Sequence, residues 1–313
     1  MSSRSRDLPR RSCHAVPGSS PRFIAKARDL AADMVFLDLE DAVAPSEKEA
    51  ARTTVADAVA SGEWGDAILA VRVNDWSTPW TTFDILEVVA RAGRRLDEIV
   101  LPKVEGPAQV VAADLVLRQA EIRAGLPVGH VGIEAQIESP AGLIEVEAIC
   151  AASPRLEAVV FGPADFAAAM HMPMLTAGVE IPEYPGDHFH YALTRILAAG
   201  RAHGLQVVDG PYLRIRDLDG LRHYCGRARA LGVDGKWTVH PDQIPIVNQA
   251  FSPTQAEFDH ASAVLHALDA AAGDEGRGAI RFGDEMVDEA SRKMAAKVVA
   301  RGERAGLVNT PPR

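Results

Sequence analysis

Short apolar runs rich in β-branched residues alternate with longer, alanine-rich amphipathic stretches along most of the chain. Strands that alternate with helices in this way are typical of βαβ units and a parallel sheet. The pattern predicts eight strands, at residues 12–16, 34–39, 67–73, 98–102, 131–138, 157–161, 205–209 and 235–239. The helices between them are predicted most clearly at 46–60, 106–123, 140–151 and 216–231.

Eight strand–helix units in 313 residues favour an α/β fold that closes into a (β/α)8 TIM barrel over an open, doubly wound sheet. No GxGxxG motif and no phosphate-binding GxxxxGK motif follows the first strand, which removes the main support for a nucleotide-binding alternative. The sequence therefore predicts a catalytic barrel domain over residues 1–252.

Two segments depart from this alternation. Residues 170–190 are rich in Pro, Gly, Met and His and are predicted to form a long loop after the sixth strand. Residues 253–313 are predicted to form a C-terminal helical extension, with a glycine-rich hinge at 272–278 and a second helix near 286–302. Such an extension either packs on the barrel or closes over a barrel mouth, its own or a neighbour's, as a lid.

The formal net charge is −10, and the acidic residues are spread along the chain. Nucleic acid is therefore not an expected partner, because binding its backbone needs a basic surface. No apolar run approaches the length of a membrane span, and the basic N-terminus lacks a signal-peptide core, so we expect a cytoplasmic protein without membrane contact. Cys13, Cys150 and Cys225 are far apart in sequence and are expected to be buried, inert thiols.

Polar side chains cluster at the carboxyl ends of the predicted strands. In a barrel all these ends meet at one face, which is where active sites of this fold lie. Isolated polar residues at strand ends are usually solvated caps, but seven strand ends here carry ionisable groups. The side chains expected at this mouth are Asp38, Glu40, Asp41, Arg72, Asn74, Lys103, Glu138, Asp165, Asp209 and His240.

Glu138 and Asp165 are the best candidates for metal ligands. Carboxylates from neighbouring strands, with no HExxH motif and no cysteine cluster, favour a hard ion such as Mg²⁺ or Mn²⁺. The alternative is that each residue caps a helix, Glu138 the one that begins at Ser139 and Pro140, and Asp165 the one at 166–170. Spacing alone leaves both interpretations open.

Arg72 projects from a strand end and is suited to bind a carboxylate or carbonyl oxygen, to pair with Glu40 or Asp41, or to do both. The sequence has no GxSxG elbow and no candidate Cys nucleophile, which argues against a Ser or Cys hydrolase. Lys103 is a formal Schiff-base candidate, but a carboxylate-rich mouth would keep its ammonium group protonated and ion-paired.

Short motifs surround these strand ends. They are Asp38-Leu39-Glu40-Asp41-Ala42-Val43 with Pro45 and Lys48, Val71-Arg72-Val73-Asn74, Leu101-Pro102-Lys103, Ile137-Glu138-Ser139-Pro140-Ala141-Gly142, Gly162-Pro163-Ala164-Asp165-Phe166, Val208-Asp209-Gly210-Pro211 and Gly235-Lys236-Trp237-Thr238-Val239-His240-Pro241-Asp242-Gln243. In this order, over nearly the whole chain, they resemble the HpcH/HpaI aldolase and citrate lyase β-subunit family. Within it, residues 63–66, 78–80, 151–156 and the extended C-terminal region are similar to the malyl-CoA/β-methylmalyl-CoA lyase branch.

The resemblance implies a Mg²⁺-dependent lyase, with Mn²⁺ as a second candidate ion, that reversibly cleaves a 3-hydroxyacyl-CoA to an acyl-CoA and a 2-oxo acid such as glyoxylate. It implies Glu138 and Asp165 as metal ligands and Arg72 as a catalytic group that contacts substrate. Glu138 itself is also expected beside the substrate, and contacts to the CoA ester or its acyl part are implied for Lys26, Ala164, Val239 and His240. Glu40, Asp41 and Lys103 are expected to support the site.

Met286-Val287-Asp288 resembles the lid motif of this family, in which the Asp acts as acid/base in a neighbouring subunit's active site. A homotrimer or homohexamer is therefore expected. Two departures affect specificity: Ser20 stands where the malyl-CoA branch tends to have Arg, a role that Arg22 is placed to take, and the loop at 170–190 is shorter and different. The alternatives are a citramalyl-CoA or citryl-CoA lyase, a malyl-CoA thioesterase and, from another class, a non-catalytic subunit of a lyase complex.

Overall fold

The computed structural model describes residues 4–174, 176, 181, 184, 186–275 and 278–309, with the backbone alone at 4, 274 and 275. Eight strands form a closed barrel in sequence order, which confirms the predicted (β/α)8 fold. The strands are β1 (Ser12–Pro17), β2 (Met34–Asp38), β3 (Ile68–Arg72), β4 (Glu98–Leu101), β5 (Gly132–Ile137), β6 (Leu156–Phe161), β7 (Gln206–Asp209) and β8 (Gly235–Thr238). Every neighbouring pair is parallel, and β1 pairs with β8 to close the barrel.

Alternate residues of the strands point into the barrel, as the two-residue period of a strand requires. Their apolar members form one buried cluster: Cys13, Met34, Phe36, Ile68, Ala70, Val100, Val160, Val208 and Trp237. The same alternation continues beyond this cluster, so Asp38 follows Met34 and Phe36, and Arg72 follows Ile68 and Ala70. The polar mouth is therefore built directly on the apolar core.

Helices surround the sheet. In the barrel they are α1 (Pro21–Ala27), α2 (Lys48–Ser61), α3 (Thr81–Ala92), α4 (Pro107–Ala124), α5 (Pro140–Ile144), α6 (Val146–Cys150), α7 (Pro163–Ala169), α8 (His190–Ala202), α9 (Leu218–Leu231) and α10 (Gln243–Phe251), with 3-10 turns at Arg4–Asp7 and Pro45–Glu47. One difference from the prediction is that residues 140–151 form two short helices. The chain leaves helical geometry at Glu145, and Arg195 Nη2 donates to the carbonyl oxygen of Ile144 at 3.0 Å.

The predicted long loop at 170–190 lies partly outside the described residues. The described part shows that α7 ends at Ala169 and that α8 begins at His190, so no barrel strand or long helix replaces the predicted loop in residues 170–174 and 186–189. Phe189 is buried and packs edge-on against Phe161 and Phe166, which ties the return of the chain to β6 and α7.

The opposite end of the barrel encloses a buried ionic cluster. Arg10 Nη2 lies 2.8 Å from Glu98 Oε2 and 3.1 Å from Glu157 Oε2, and all three side chains are almost fully buried. Glu134 is also fully buried, and neither of its carboxylate oxygens has a hydrogen-bond partner among the described residues. Burial, and then the charge of Glu98, raises the pKa of Glu134 to about 8, because one arginine faces three carboxyl groups.

The chain divides into two compact units, Met1–Asn248 and Gln249–Arg313. The second unit contains α11 (Gln255–Glu275), an antiparallel hairpin of β9 (Ile280–Phe282) and β10 (Glu285–Val287), and α12 (Glu289–Arg304). Its own apolar cluster includes Val264, Leu268, Val287 and Ala295. The unit is therefore a helix pair with a hairpin between its members.

The sequence did not predict this hairpin, and it predicted a glycine-rich hinge at 272–278. Residues 272–275 belong to α11 instead, while 276 and 277 lie outside the described residues. Gly283 closes the turn between the two strands with φ +59°, a conformation that glycine adopts without strain. Three-residue strands are too short to show a period of two in the sequence.

Cys13, Cys150 and Cys225 are free and buried, as predicted. Among the described residues, no helix combines the length and the apolar character that crossing a bilayer requires.

Candidate active site

Arg72 and Asp38 form a two-bond ion pair inside the barrel mouth. Arg72 Nε and Nη2 each donate to one carboxylate oxygen of Asp38, both at 2.7 Å. Arg72 is 8% exposed and Asp38 is 2% exposed, so water competes little for either charge. Burial opposes ionisation of Asp38, but the guanidinium of Arg72 holds the pKa of that carboxyl below its usual range. The pair fixes the plane of the guanidinium group.

The predicted pairing of Arg72 with Glu40 or Asp41 is confirmed as well. Arg72 Nη1 lies 3.1 Å from Glu40 Oε2 and 3.9 Å from Asp41 Oδ2. A guanidinium carries five N–H groups. Asp38 accepts from Nε and from one N–H of Nη2, and Glu40 and Gln136 lie against Nη1. The second N–H of Nη2 therefore has no acceptor among the described residues. Arg72 thus keeps one N–H donor that no described residue accepts from.

Lys103 connects two carboxylates of the mouth. Its backbone N–H donates to Glu138 Oε1 at 2.7 Å, and its Nζ lies 2.5 Å from Glu40 Oε1. Lys103 has φ +50°, an uncommon conformation for a residue with a side chain, and this turn lets backbone and side chain reach different partners. Although burial favours the neutral amine, the hydrogen bond and charge of Glu40 raise the pKa of Lys103 above its usual range. The ammonium group is therefore a poor Schiff-base nucleophile.

Glu138 has a donor on each of its carboxylate oxygens. Oε1 accepts from the N–H of Lys103, and Oε2 accepts from Gln136 Nε2 at 2.5 Å. The side chain follows the last residue of β5 and is 2% exposed. Burial, and then the negative charge of Asp165, raises the pKa of Glu138 to about 8. Two carboxyl groups thus share this part of the mouth.

Asp165 lies half-buried in the first turn of α7. The backbone of β6 reaches Glu138 closely because residue 162 is glycine. A Cβ atom at Gly162 would lie 2.5 Å from Glu138 Cβ and 2.6 Å from Glu138 Oε2. Any larger residue would push the carboxylate away from the start of α7. The glycine thus keeps Glu138 close to the helix that carries Asp165.

Helix capping does not explain either carboxylate. Ser139 is the residue that caps α5, through a hydrogen bond from the N–H of Gly142 to its hydroxyl. The residue before α7 is Gly162, which has no capping side chain, and Asp165 lies inside the helix. The capping alternative is therefore wrong for Glu138 and for Asp165.

This donor set fits a hard divalent cation. Carboxylate oxygens are the ligands that Mg²⁺ prefers, and Mg²⁺ usually keeps several positions for water or substrate oxygens. A cation between Glu138 and Asp165 would also offset the repulsion that raises the pKa of Glu138. The described residues contain no group of three or more His, Cys, Asp or Glu arranged as a metal site. The candidate site is accordingly one of two protein carboxylates.

The residues expected to contact a CoA ester come from three separate parts of the barrel. Lys26 is in the last turn of α1, and Ala164 is exposed in the first turn of α7. Val239 and His240 follow β8, Val239 being exposed and His240 half-buried. No two of these four are hydrogen-bonded to each other in the described structure. Their assigned role remains a prediction.

Several predicted mouth residues have other partners. Asn74 Nδ2 donates to Oδ2 of Asp84, in the first turn of α3, at 2.7 Å. Asp209 Oδ2 lies 2.5 Å from Lys236 Nζ on the next strand. Asn74 and Asp209 therefore bond to residues of the barrel wall. The connected mouth network consists of Asp38, Glu40, Asp41, Arg72, Lys103, Gln136 and Glu138.

Asp288 precedes α12 in the second unit and is exposed. Its Oδ1 accepts from the N–H groups of Ala290 at 2.9 Å and Ser291 at 3.1 Å, while Ser291 Oγ accepts from the N–H of Asp288 at 3.2 Å. This reciprocal capping box fixes one oxygen of the carboxylate at the helix N-terminus. No hydrogen bond within the described residues uses Oδ2 of Asp288.

Two residues of the mouth network, Gln136 and Asp38, were not assigned a role from the sequence. Gln136 was not predicted at all, and Asp38 was placed at the mouth without a role. The signal for Gln136 is present in Glu134-Gln136-Glu138, three polar residues at a spacing of two on one buried strand. All three must point into the barrel, so a polar chain along the interior of β5 was predictable.

The site joins an immobilised guanidinium with one spare N–H to two carboxylates that fit a divalent cation. Such groups, held in a buried mouth, stabilise negative charge that develops on substrate oxygens. Fold and site together define a (β/α)8-barrel enzyme whose site is suited to stabilise negative charge on substrate oxygens.

Comparison with known sequences specifies the family. The model of the HpcH/HpaI aldolase/citrate lyase family matches residues 11–241. The L-malyl-CoA/beta-methylmalyl-CoA lyase of Cereibacter sphaeroides is 40% identical over 298 residues, which cover 92% of this chain and 92% of the relative. The malyl-CoA/beta-methylmalyl-CoA/citramalyl-CoA lyase of Chloroflexus aurantiacus is 33% identical over 309 residues, which cover 93% and 87%.

Solved structures agree with this relationship. The protein CitE from Mycobacterium tuberculosis, in complex with magnesium, acetoacetate and coenzyme A, superposes with a TM-score of 0.75 at 29% identity, over 95% of this chain and 99% of that one. A citrate lyase from Burkholderia xenovorans LB400 superposes with a TM-score of 0.85 over 97% and 95% of the two chains. At 24% identity, the latter similarity concerns the fold alone.

The chain belongs to the HpcH/HpaI aldolase/citrate lyase family, which confirms the resemblance seen in its motifs. It is a carbon–carbon lyase, as predicted.

Proposed function

We propose that the chain is a Mg²⁺-dependent CoA-ester lyase that reversibly cleaves a 3-hydroxyacyl-CoA, such as malyl-CoA or β-methylmalyl-CoA, to an acyl-CoA and a 2-oxo acid such as glyoxylate. The observation that carries the proposal is the buried chain from Arg72 through Gln136 to Glu138 at the barrel mouth. The substrate class is supported by the relatives named as malyl-CoA/beta-methylmalyl-CoA lyases. The proposed binding of magnesium and of a coenzyme A ester is supported by the related CitE structure, which contains magnesium and coenzyme A.

Glu138 and Asp165 would hold the Mg²⁺ ion, with Mn²⁺ as a second candidate. When bound, Mg²⁺ supplies a Lewis acid and a template for the carboxylate and the adjacent oxygen of the 2-oxo acid part. The residues of the chain supply the remaining functions.

Arg72 contacts the oxygen on which charge changes during the reaction. In cleavage, the 3-hydroxyl group would release its proton to solvent and become the carbonyl of the 2-oxo acid. Asp288 would take up one proton from solvent before the reaction, so the proton that it delivers to the enolate balances the one that the hydroxyl group releases. The electron pair of the C2–C3 bond passes to the thioester fragment as an enolate. The free N–H on Nη2 would stabilise the negative oxygen. The two hydrogen bonds to Asp38 would keep the guanidinium of Arg72 in the orientation that this contact needs. Glu40, Asp41 and Lys103 support this arrangement through their ion pairs.

Asp288 completes the proton transfer. The protonated acid would deliver its proton to the α-carbon of the enolate in the cleavage direction, and its carboxylate would remove that proton in the condensation direction. We propose that the second unit acts as a lid that presents Asp288 to the active site of a neighbouring subunit in a homotrimer or homohexamer. Exclusion of water by such a lid would protect the enolate from unproductive protonation and the thioester from hydrolysis. Lys26, Ala164, Val239 and His240 would contact the CoA ester.

The test is a product analysis with purified protein and a small panel of CoA esters, in both directions, with and without EDTA. The proposal requires acyl-CoA plus a 2-oxo acid from malyl-CoA or β-methylmalyl-CoA, loss of turnover in EDTA and its return with Mg²⁺. Free hydroxy acid plus CoA thiol would identify a thioesterase instead. Release of a 2-oxo acid only from citramalyl-CoA or citryl-CoA would reassign the substrate, and no turnover of any ester would leave a non-catalytic subunit. Borohydride should trap no adduct at Lys103.

A further inference from the structure

The side chain of Gln136 lies between the two functional groups of the mouth. Its Oε1 accepts from Arg72 Nη1 at 3.4 Å, and its Nε2 donates to Glu138 Oε2 at 2.5 Å. The residue is on β5, 4% exposed, and points into the barrel between the apolar core and the mouth. Among the described residues, Gln136 is the one hydrogen-bonded to both Arg72 and Glu138.

A carboxamide is suited to this place because its two ends differ. The carbonyl oxygen accepts from a cation, and the amino group donates to an anion. A carboxylate at this position would have no N–H to give Glu138, and an apolar side chain would satisfy neither neighbour. The charges of Arg72 and Glu138 also determine which way the amide points.

The effect on Glu138 is to orient its carboxylate plane. The N–H of Lys103 holds Oε1 and the amide of Gln136 holds Oε2, one donor for each oxygen. Gly162 leaves room on the β6 side, since any side chain there would collide with Oε2. The lone pairs not used by these two donors remain for a cation shared with Asp165.

Gln136 also holds the guanidinium of Arg72, on the side opposite the two hydrogen bonds to Asp38. Asp38 binds Nε and Nη2, and Gln136 contacts Nη1. The ring of Trp237 lies beside the guanidinium carbon, 5.6 Å from the ring centroid, and limits motion toward the core. A shift of Gln136 would therefore act on both functional groups at once.

We propose that Gln136 is a positioning residue that couples the substrate-binding guanidinium of Arg72 to the metal-binding carboxylate of Glu138. The proposal rests on the proposed function, because it assigns those two roles. Partners of this kind, behind a metal ligand, typically contribute about 10–100-fold to metal affinity or activity.

Two variants test the coupling. Gln136→Met keeps nearly the same shape but removes both hydrogen bonds, and Gln136→Asn keeps the amide but is one methylene too short to reach both neighbours. Gln206→Met is the matched control. Gln206 is on the nearby strand β7, and its Nε2 donates to the carbonyls of Leu8 and Arg6 at the other end of the barrel.

Three quantities are measured for each variant: Kd for Mg²⁺ by titration calorimetry, kcat and KM for the CoA ester, and Tm. We expect both Gln136 variants to bind Mg²⁺ about 10-fold more weakly or worse and to lose about 10-fold or more in kcat, with Tm close to wild type. In an Arg72→Lys background, Gln136→Met should cost less in kcat than it does in the wild type, because residues that act together are not additive. Gln206→Met should match the wild type in Kd and kcat.

The outcomes separate this inference from the proposed function. If the wild type binds Mg²⁺ and cleaves its substrate while both Gln136 variants keep wild-type Kd and kcat, the inference is overturned and the proposed function stands. A lower Tm with unchanged Kd and kcat overturns it too, since Gln136 would then only fill the barrel. If the wild type itself binds no Mg²⁺, both the inference and the metal-dependent function are rejected. If Gln136→Met does not fold, the Kd for Mg²⁺ and the kcat of Gln136→Asn decide whether the inference stands.

Discussion

Arg72 and Asp38 meet through two parallel hydrogen bonds of 2.7 Å, from adjacent strands of the barrel and with almost no access to water. Register places the two residues directly opposite each other at the ends of β3 and β2. The planar guanidinium matches the carboxylate in a way that the single point charge of lysine does not. The direction in which Arg72 points is thus determined by the sheet itself.

Replacing this arginine tests the role of its direction. Arg72→Lys keeps the charge but loses the fork and the spare Nη2 donor, so kcat should fall by about 10²-fold or more. Steady-state kinetics with a CoA ester measure this, and circular dichroism checks the fold. Arg91→Lys is a control, because the ion pairs of Arg91 with Asp57 and Glu87 are partly exposed and lie on helices outside the barrel mouth. A kcat of Arg72→Lys within threefold of wild type would contradict the assigned role.

The proposed metal ligand predicts a loss of Mg²⁺ binding. Glu138→Gln removes a charged ligand, so Mg²⁺ affinity should fall by more than the ~10–100-fold expected for an outer partner, and turnover should be lost. Glu134→Gln is the matched control, four residues earlier on the same strand and at the other end of the barrel. Calorimetry with Mg²⁺ distinguishes the two variants. Equal Kd values in Glu138→Gln and wild type would remove Glu138 from the metal site.

The proposed acid/base residue predicts a slow but folded variant. Asp288→Asn keeps the capping oxygen that accepts from Ala290 and Ser291 but cannot accept or deliver the α-proton, so kcat should fall by about 10²-fold or more. Asp284→Asn in the nearby hairpin is the control, since that exposed carboxylate only pairs with Arg281. Kinetics and Tm of both variants are compared, and wild-type turnover in Asp288→Asn would exclude it from the mechanism.

The proposed exchange of lids between subunits predicts complementation. Arg72→Lys and Asp288→Asn chains, each nearly inactive alone, should form active sites when co-expressed with different tags and purified as mixed oligomers. With random mixing, about a quarter of all sites, and about a third of the sites in mixed trimers freed of single-variant trimers, would combine an intact Arg72 with an intact Asp288 from a neighbour. The activity of tandem-purified mixed oligomers measures this fraction. Activity no higher than that of the separate variants would show that Asp288 does not serve a neighbouring subunit.

The buried cluster at the other end of the barrel predicts a pH dependence of stability. Burial raises the pKa of Glu134 to about 8 and that of Glu98 to about 7, both above their values in an unfolded chain. The native state therefore binds protons more tightly than the unfolded state, and stability should fall as pH rises from about 5 through 8.

Urea unfolding at pH 6 and pH 8.5 measures this change. Glu134→Gln removes one of the titrating groups, so its free energy of unfolding should exceed that of wild type at pH 8.5 and approach it at pH 6. Glu63→Gln, at an exposed site, should follow the wild type at both values. A pH dependence in Glu134→Gln as steep as in the wild type would show that Glu134 does not cause it.

Local patterns predicted the elements and the location of the site. The eight strands agree with prediction to within a residue or so, because an apolar run between helical stretches is visible without knowing its neighbours. Helix 140–151 and the hairpin of the second unit were missed in detail. The contact of Arg195 with Ile144 beside the break joins residues 51 apart in sequence, and the hairpin strands are only three residues long.

By itself, the sequence determined that this chain forms a parallel barrel, which strand ends carry charge and which family it belongs to. Barrel closure decided the rest. In the folded barrel Asp38, rather than Glu40 or Asp41, forms the two-bond ion pair with Arg72, and Gln136 lies between Arg72 and Glu138. The folded structure also shows that neither Glu138 nor Asp165 caps a helix. Arg72 and Gln136 are 64 residues apart. Their contact depends on which strands are neighbours, on register and on side-chain direction, and these exist only once the sheet has closed.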